Sequence, residues 1–130
     1  LMIQRSRSEK KPAVSTYLQE EMENARNYFS EHFNEPISIE DFAASRSMSV
    51  SWFLRNFKQV NGMSPMHFIL TKRINNAVSL LETTNYNVTE ISTIVGYDNP
   101  MYFSRLFKKQ KGVSPTAYRK LLNDHSIQIP

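Results

Sequence analysis

A chain of 130 residues, 40% of them hydrophobic, can build one domain or two very small ones. It has no apolar run of about 18 residues for a membrane span, and Met2-Ile3-Gln4-Arg5 runs into charge where a secretory leader would turn apolar. Cysteine is absent, which excludes disulfides, thiolate metal sites and a cysteine nucleophile and fits a reducing cytoplasm. The net charge is +4. Residues 1–35 set five Lys/Arg against six Asp/Glu, residues 36–86 five against three, and residues 87–130 six against three. The basic excess therefore lies in the later two thirds.

Residues 1–13 are polar, charged and without period, and are expected to be a linker. Because the chain opens on Leu1, it is expected to begin inside a longer protein. From about residue 15, Leu18, Met22, Ala25, Phe29 and Phe33 recur at the spacing of one buried helical face. Residues 34–36 break this helix. Glu20, Glu21 and Glu23 form its solvated acidic face.

Two later stretches repeat each other. A shift of 50 positions superposes Phe53 on Phe103, Arg55 on Arg105, Phe57 on Phe107 and Lys58 on Lys108, and Gly62, Ser64 and Pro65 on Gly112, Ser114 and Pro115. Trp52 meets Tyr102, and Phe68 meets Tyr118. Upstream the shift falls to 49, pairing Ile39 with Val88, Asp41 with Glu90 and Phe42 with Ile91, so the second copy holds one extra residue in its 96–99 turn. Each copy begins with a capping signature, Ser38 with Asp41 and Asn87 with Glu90. A short helix (39–45, 88–95), a tight turn and a second helix capped by Ser49 or Asn99 follow. Glycine then closes that helix, and Ser-Pro opens the next. Two short helices across a tight turn are a helix-turn-helix. The first spans about 38–60 and the second about 87–111. A longer helix over 65–82 joins them, with Leu70, Ile74, Ala77, Val78 and Leu81 at helical spacing. A last helix covers 115–122, and 125–130 is expected to be a loose tail. No segment alternates as a strand would, so the fold class is all-α.

On the second helix of each copy, Phe53, Phe57 and Val60, or Phe103 and Phe107, must pack inward, with Trp52 and Tyr102 read as packing residues. The opposite faces present Ser51, Leu54, Arg55 and Lys58, and Met101, Ser104, Arg105 and Lys108. Such a face suits a DNA major groove. Arginine can bond both acceptors of a guanine edge, for roughly 1–3 kcal/mol of discrimination; serine can donate or accept; leucine or methionine can lie against a thymine methyl. Lysine near the helix end meets phosphate, adding affinity but little sequence information. Backbone N–H groups at the helix starts can hold phosphates too.

These residues resemble the AraC/XylS family of bacterial transcription regulators. The resemblance rests on Gly96-Tyr97-Asp98-Asn99-Pro100-Met101-Tyr102-Phe103-Ser104-Arg105-Leu106-Phe107-Lys108-Lys109, continuing through Gly112-Val113-Ser114-Pro115 to Tyr118-Arg119. Met48 to Lys58 resembles that family's first helix-turn-helix, and Arg73-Ile74, Ala77 and Leu80-Leu81 its linking helix. The resemblance covers about residues 16–123. It implies an all-α domain of about seven helices, two helix-turn-helix subdomains on one long central helix, whose recognition helices enter successive major grooves roughly 34 Å apart. By position, the family's base readers fall on Ser51, Leu54, Arg55, Met101, Ser104 and Arg105, with Val50 and Pro100 as additions. Ser49, Lys58, Asn99, Lys108 and Lys109 fall at phosphates or helix N-termini. Leu54, Trp52 and Ser92 depart from the family pattern; Ser92, where alanine is usual, is expected to bond the preceding helical turn.

The implied partners are double-stranded DNA, RNA polymerase and an N-terminal sensing domain of the same chain, in a bacterial cytoplasm. No cofactor is expected and no metal site, because His32, His67 and His125 lie on different elements without ligand spacing. With no phosphate loop or nucleophile-base pair either, no enzyme activity is expected. The rival reading is a helical protein-interaction module that uses Leu54, Met101 and the acidic first helix.

Overall fold

A computed structural model describes residues 13–128, with side chains described over 16–124. Among the described residues its elements are seven helices: α1 (Ala13–His32), α2 (Ile39–Ser45), α3 (Val50–Asn61), α4 (Pro65–Thr83), α5 (Val88–Ile94), α6 (Pro100–Lys111) and α7 (Pro115–Gln128). Most of the expected linker, residues 1–12, lies outside the described residues, as do 129–130. Both end expectations need correction. The first helix already includes Ala13, and the last runs to Gln128, through most of the stretch read as a tail. After Pro115 no glycine or proline interrupts the sequence before Pro130, so nothing local stops the helix.

The described residues divide into two compact units, one of residues 13–32 and 37–69, the other of residues 33–36 and 70–128. In the first, Met22, Ala25 and Phe29 of α1 pack with Phe42 and Ala43 of α2 and Phe53 and Phe57 of α3, all buried. Phe29 sits 4.8 Å from Phe42 and 5.9 Å from Phe57, ring centre to ring centre. Aromatic pairs at such separations add about 0.5–1.5 kcal/mol beyond the area they bury. The Asn61 amide ties the end of α3 to α1: it donates to the Met22 carbonyl at 3.1 Å and its oxygen accepts from Arg26 at 3.1 Å.

In the second unit Ile74, Ala77 and Leu81 of α4, Ile91 of α5, Val95, and Phe103 and Phe107 of α6 form one buried cluster. Two arginines fasten its periphery. Arg119 of α7 donates to the carbonyls of Tyr86 at 2.6 Å and Thr84 at 2.9 Å, where α4 has run out of intrahelical donors. Arg73 of α4 does the same for the Phe33 and Glu35 carbonyls, and its guanidinium lies 4.8 Å from the centre of the Tyr97 ring. Burial raises the Tyr97 phenol above its ordinary pKa, while Arg73 beside it pulls the other way.

Candidate nucleic-acid interface

The two helix-turn-helix units are built by the same local rules with different lengths. Four residues, 46–49, separate α2 from α3; five, 95–99, separate α5 from α6. The extra residue inferred from the change of shift is thus in the second turn. Both turns need a left-handed residue, supplied by Ser47 at φ 60° and by Gly96 at φ 108°, which the 49-residue shift makes equivalents. The expected caps are present, but unequal. At α5, Asn87 and Glu90 bond reciprocally in a full capping box, at 2.8 Å in both directions. At α2 only half forms: the Ser38 hydroxyl accepts from the Asp41 N–H at 3.1 Å, and the Asp41 side chain, one methylene shorter than glutamate, makes no return bond in that box.

The recognition helices are held at both ends. Ser49 accepts the Trp52 N–H at 3.2 Å, and Asn99 Oδ1 accepts those of Met101 at 2.9 Å and Tyr102 at 3.0 Å. Gly62 and Gly112 close the far ends at φ 84° and 86°, donating to the carbonyls of Lys58 and Lys108. These caps revise one expectation. The first backbone donors of α6 are already engaged: Pro100 has none, Asn99 Oδ1 holds the next two, and the Asn99 carbonyl takes the Phe103 N–H. The Asn99 amide NH₂ group is what remains there to meet a phosphate.

Within each unit the candidate base readers lie on one helix. Ser51, Leu54 and Arg55 are exposed on α3, with Lys58 exposed one turn on. Met101 and Arg105 are exposed on α6, with Ser104 half-buried and Lys108 and Lys109 exposed in its last turn. Behind them Phe53, Phe57, Phe103 and Phe107 are fully buried, which fixes the rotation of each helix. Trp52 and Tyr102, read from sequence as packing residues, are respectively 36% and 47% exposed. Tyr102 lies at the edge of the reading face, 5.8 Å under the Arg105 guanidinium, and edge-on to Tyr97 at 5.9 Å. The i, i+3 spacing of Tyr102 and Arg105 was the available signal. Asn56, on the packed side of α3, is buried and donates to the Trp52 carbonyl at 2.8 Å. Ser92 is fully buried and also bonds differently from expectation: its hydroxyl donates forward to the Tyr97 carbonyl at 3.0 Å, across the turn. The Tyr97 N–H donates back to the Ser92 carbonyl at 2.9 Å.

Among the described residues no group of acidic, histidine or cysteine side chains could hold a metal ion, and no helix is long and apolar enough to cross a membrane.

Two capped helix-turn-helix units, each displaying an arginine and a lysine on its second helix, define a tandem helix-turn-helix domain. The family model described as "Helix-turn-helix domain" matches residues 42–121, and the chain belongs to the AraC-type branch of that class, whose members are transcription regulators. The MmsAB operon regulatory protein of Pseudomonas aeruginosa is 34% identical over 100 residues, which are 77% of this chain and 33% of the relative. The solved C-terminal domain of AraT, a response regulator from Geobacillus stearothermophilus, is 37% identical with a TM-score of 0.73, over 77% of this chain and 84% of that one. The DNA-binding domain of AdpA, a global transcriptional factor solved with a target DNA, is 32% identical with a TM-score of 0.75, over 82% of this chain and 96% of that one. The chain spans about a third of the length of the curated relatives it matches.

Proposed function

We propose that this chain binds duplex DNA sequence-specifically, with α3 and α6 in successive major grooves, and thereby regulates bacterial transcription. The observation that carries this reading is the duplicated face: Arg55 and Arg105 stand exposed at equivalent positions of two helices whose ends and buried sides are fixed. In this reading Arg55 and Arg105 take guanine edges, and Ser51, Leu54, Met101 and Ser104 read neighbouring bases. Lys58, Lys108, Lys109 and the caps Ser49 and Asn99 meet phosphate. The chain acts by binding and not by catalysis, in the cytoplasm at the nucleoid. Its partners are RNA polymerase and a sensing region of the full-length protein; the Geobacillus relative, being the C-terminal domain of a response regulator, supports the latter.

The test is binding to a selected site and to random DNA over a range of salt. Arg105→Ala is expected to weaken the selected site by roughly 1–3 kcal/mol and random DNA much less. Lys108→Ala is expected to weaken both alike and to lower the slope of log K against log salt by about one. Equal loss on both DNAs for Arg105→Ala removes it from base reading. A protein-interaction module, which the exposed Leu54 and Met101 would also suit, retains no DNA even at low salt.

A further inference from the structure

The repeat conserves the arginine and lysine of the reading face but exchanges its other two residues. Under the 50-residue shift Ser51 meets Met101 and Leu54 meets Ser104. On α3 the arginine therefore shares its i, i+4 ridge with a serine (Ser51, Arg55), and the lysine shares its ridge with an apolar residue (Leu54, Lys58). On α6 the arginine's ridge carries the apolar residue (Met101, Arg105), and the lysine's carries the serine (Ser104, Lys108). Both apolar side chains face outward: Leu54 is 37% and Met101 72% exposed. Leu54 is the more constrained, lining a groove of about 500 Å³ with Ile37, Val50 and Met66; Met101 stands clear on the first turn of its helix.

On a major-groove edge the apolar group that distinguishes one base from another is the thymine C5-methyl. We infer that each recognition helix reads one thymine methyl beside its guanine, through Leu54 in one half-site and Met101 in the other, at different offsets from that guanine. Leu54 adjoins Arg55 in sequence, so its methyl lies on the same or the neighbouring base pair. Met101 precedes Arg105 by four residues, about 6 Å along the helix, so its methyl lies about two base steps of 3.4 Å away. The half-sites are therefore unlike, and the chain occupies its site in one orientation. This inference rests on the DNA-binding reading above.

The experiment selects the bound sequence from a random pool with the 130-residue chain, then replaces each thymine of that site, one at a time, by deoxyuridine. That change removes only the methyl. Two positions, one per half-site and unequally spaced from the guanines, are expected to lose about fourfold in affinity, the worth of one buried methyl group. Leu54→Ala should erase the penalty at one of them and Met101→Ala at the other, each leaving its counterpart intact. Neither side chain belongs to a buried core, so neither truncation opens one. A site that is selected but indifferent to deoxyuridine overturns the inference and leaves DNA binding standing. So do penalties that survive both truncations, or two methyls at the same offset. A pool from which nothing is selected overturns the DNA-binding reading itself, and this inference with it.

Discussion

Among the described residues Ser47 is the one most at odds with its own backbone. Its φ of 60° is one that a side chain tolerates at a cost of roughly 1–2 kcal/mol, while its repeat partner Gly96 meets the same need without a Cβ. Glycine at 47 gives back part of the gain, because it frees the unfolded chain by about 0.4–1 kcal/mol. Ser47→Gly should therefore raise stability by about 0.5 kcal/mol, a rise of a few degrees in melting temperature, with DNA affinity unchanged. A fall in melting temperature would mean that the serine side chain earns its place by a bond of its own. At Gly96 the opposite substitution is doubly opposed. Alanine would keep φ at 108° and place its Cβ 3.0 Å from both Cζ and Nε of Arg73. That guanidinium cannot swing aside freely, because the Phe33 and Glu35 carbonyls and the Tyr97 ring hold it. Gly96→Ala should cost about 2–3 kcal/mol. It should cost about 0.5–1 kcal/mol less when Arg73 is already alanine, the coupling expected of two groups in contact. Identical costs in the two backgrounds would assign the whole effect to backbone strain.

Within the recognition helix, Tyr102 has a role that its partner Trp52 does not share: its ring supports Arg105. An exposed cation–aromatic contact contributes about 0.5–1 kcal/mol, so Tyr102→Ala should lower the preference for the selected site over random DNA by about twofold to fivefold. Tyr102→Phe keeps the ring and should keep the preference. If phenylalanine loses as much as alanine, the hydroxyl acts on DNA directly and the ring is incidental. The elements themselves were legible in the sequence wherever a local rule decides them: the glycine stops, the Ser-Pro starts, the caps and the buried phenylalanines are set within four or five residues. Some of the features that were not legible depend on contacts made at a distance. Arg73 and Arg119 bond carbonyls 33 to 40 positions away, and no periodicity announces such a pairing. Ser92 turned forward to Tyr97 because the five-residue turn brings that carbonyl over it. The half-made capping box at Ser38 turned on a single methylene of Asp41.

At the scale of the whole molecule, two units are legible in the sequence repeat, because each copy carries its own buried phenylalanines. The division of α4 between the units, with Ile69 on one side and Leu70 on the other, could not be read from its unbroken helical spacing. Each unit has an aromatic core of its own: Phe29, Phe42, Phe53 and Phe57 in the first, Phe103 and Phe107 with Ile74, Leu81, Ile91 and Val95 in the second. Units this small are marginal, burying only about 60% of the surface that the unfolded chain exposes. Truncating a buried phenylalanine costs about 3–5 kcal/mol, enough to consume most of the stability that such a core supplies. Phe107→Ala should therefore unfold the second unit, and amide exchange resolved by residue should report it. Protection is expected to fall in α5, α6 and α7 and in α4 beyond Leu70, while α2 and α3 keep theirs, because Phe42, Phe53 and Phe57 lose no neighbour in their own cluster. Phe57→Ala should give the reverse pattern. If either substitution strips protection evenly from all the helices, the shared helix α4 binds both cores into a single cooperative unit, and the two-core account fails. If the pattern divides as expected, a variant with only its second unit disabled becomes the means of measuring what α3 alone contributes to DNA affinity.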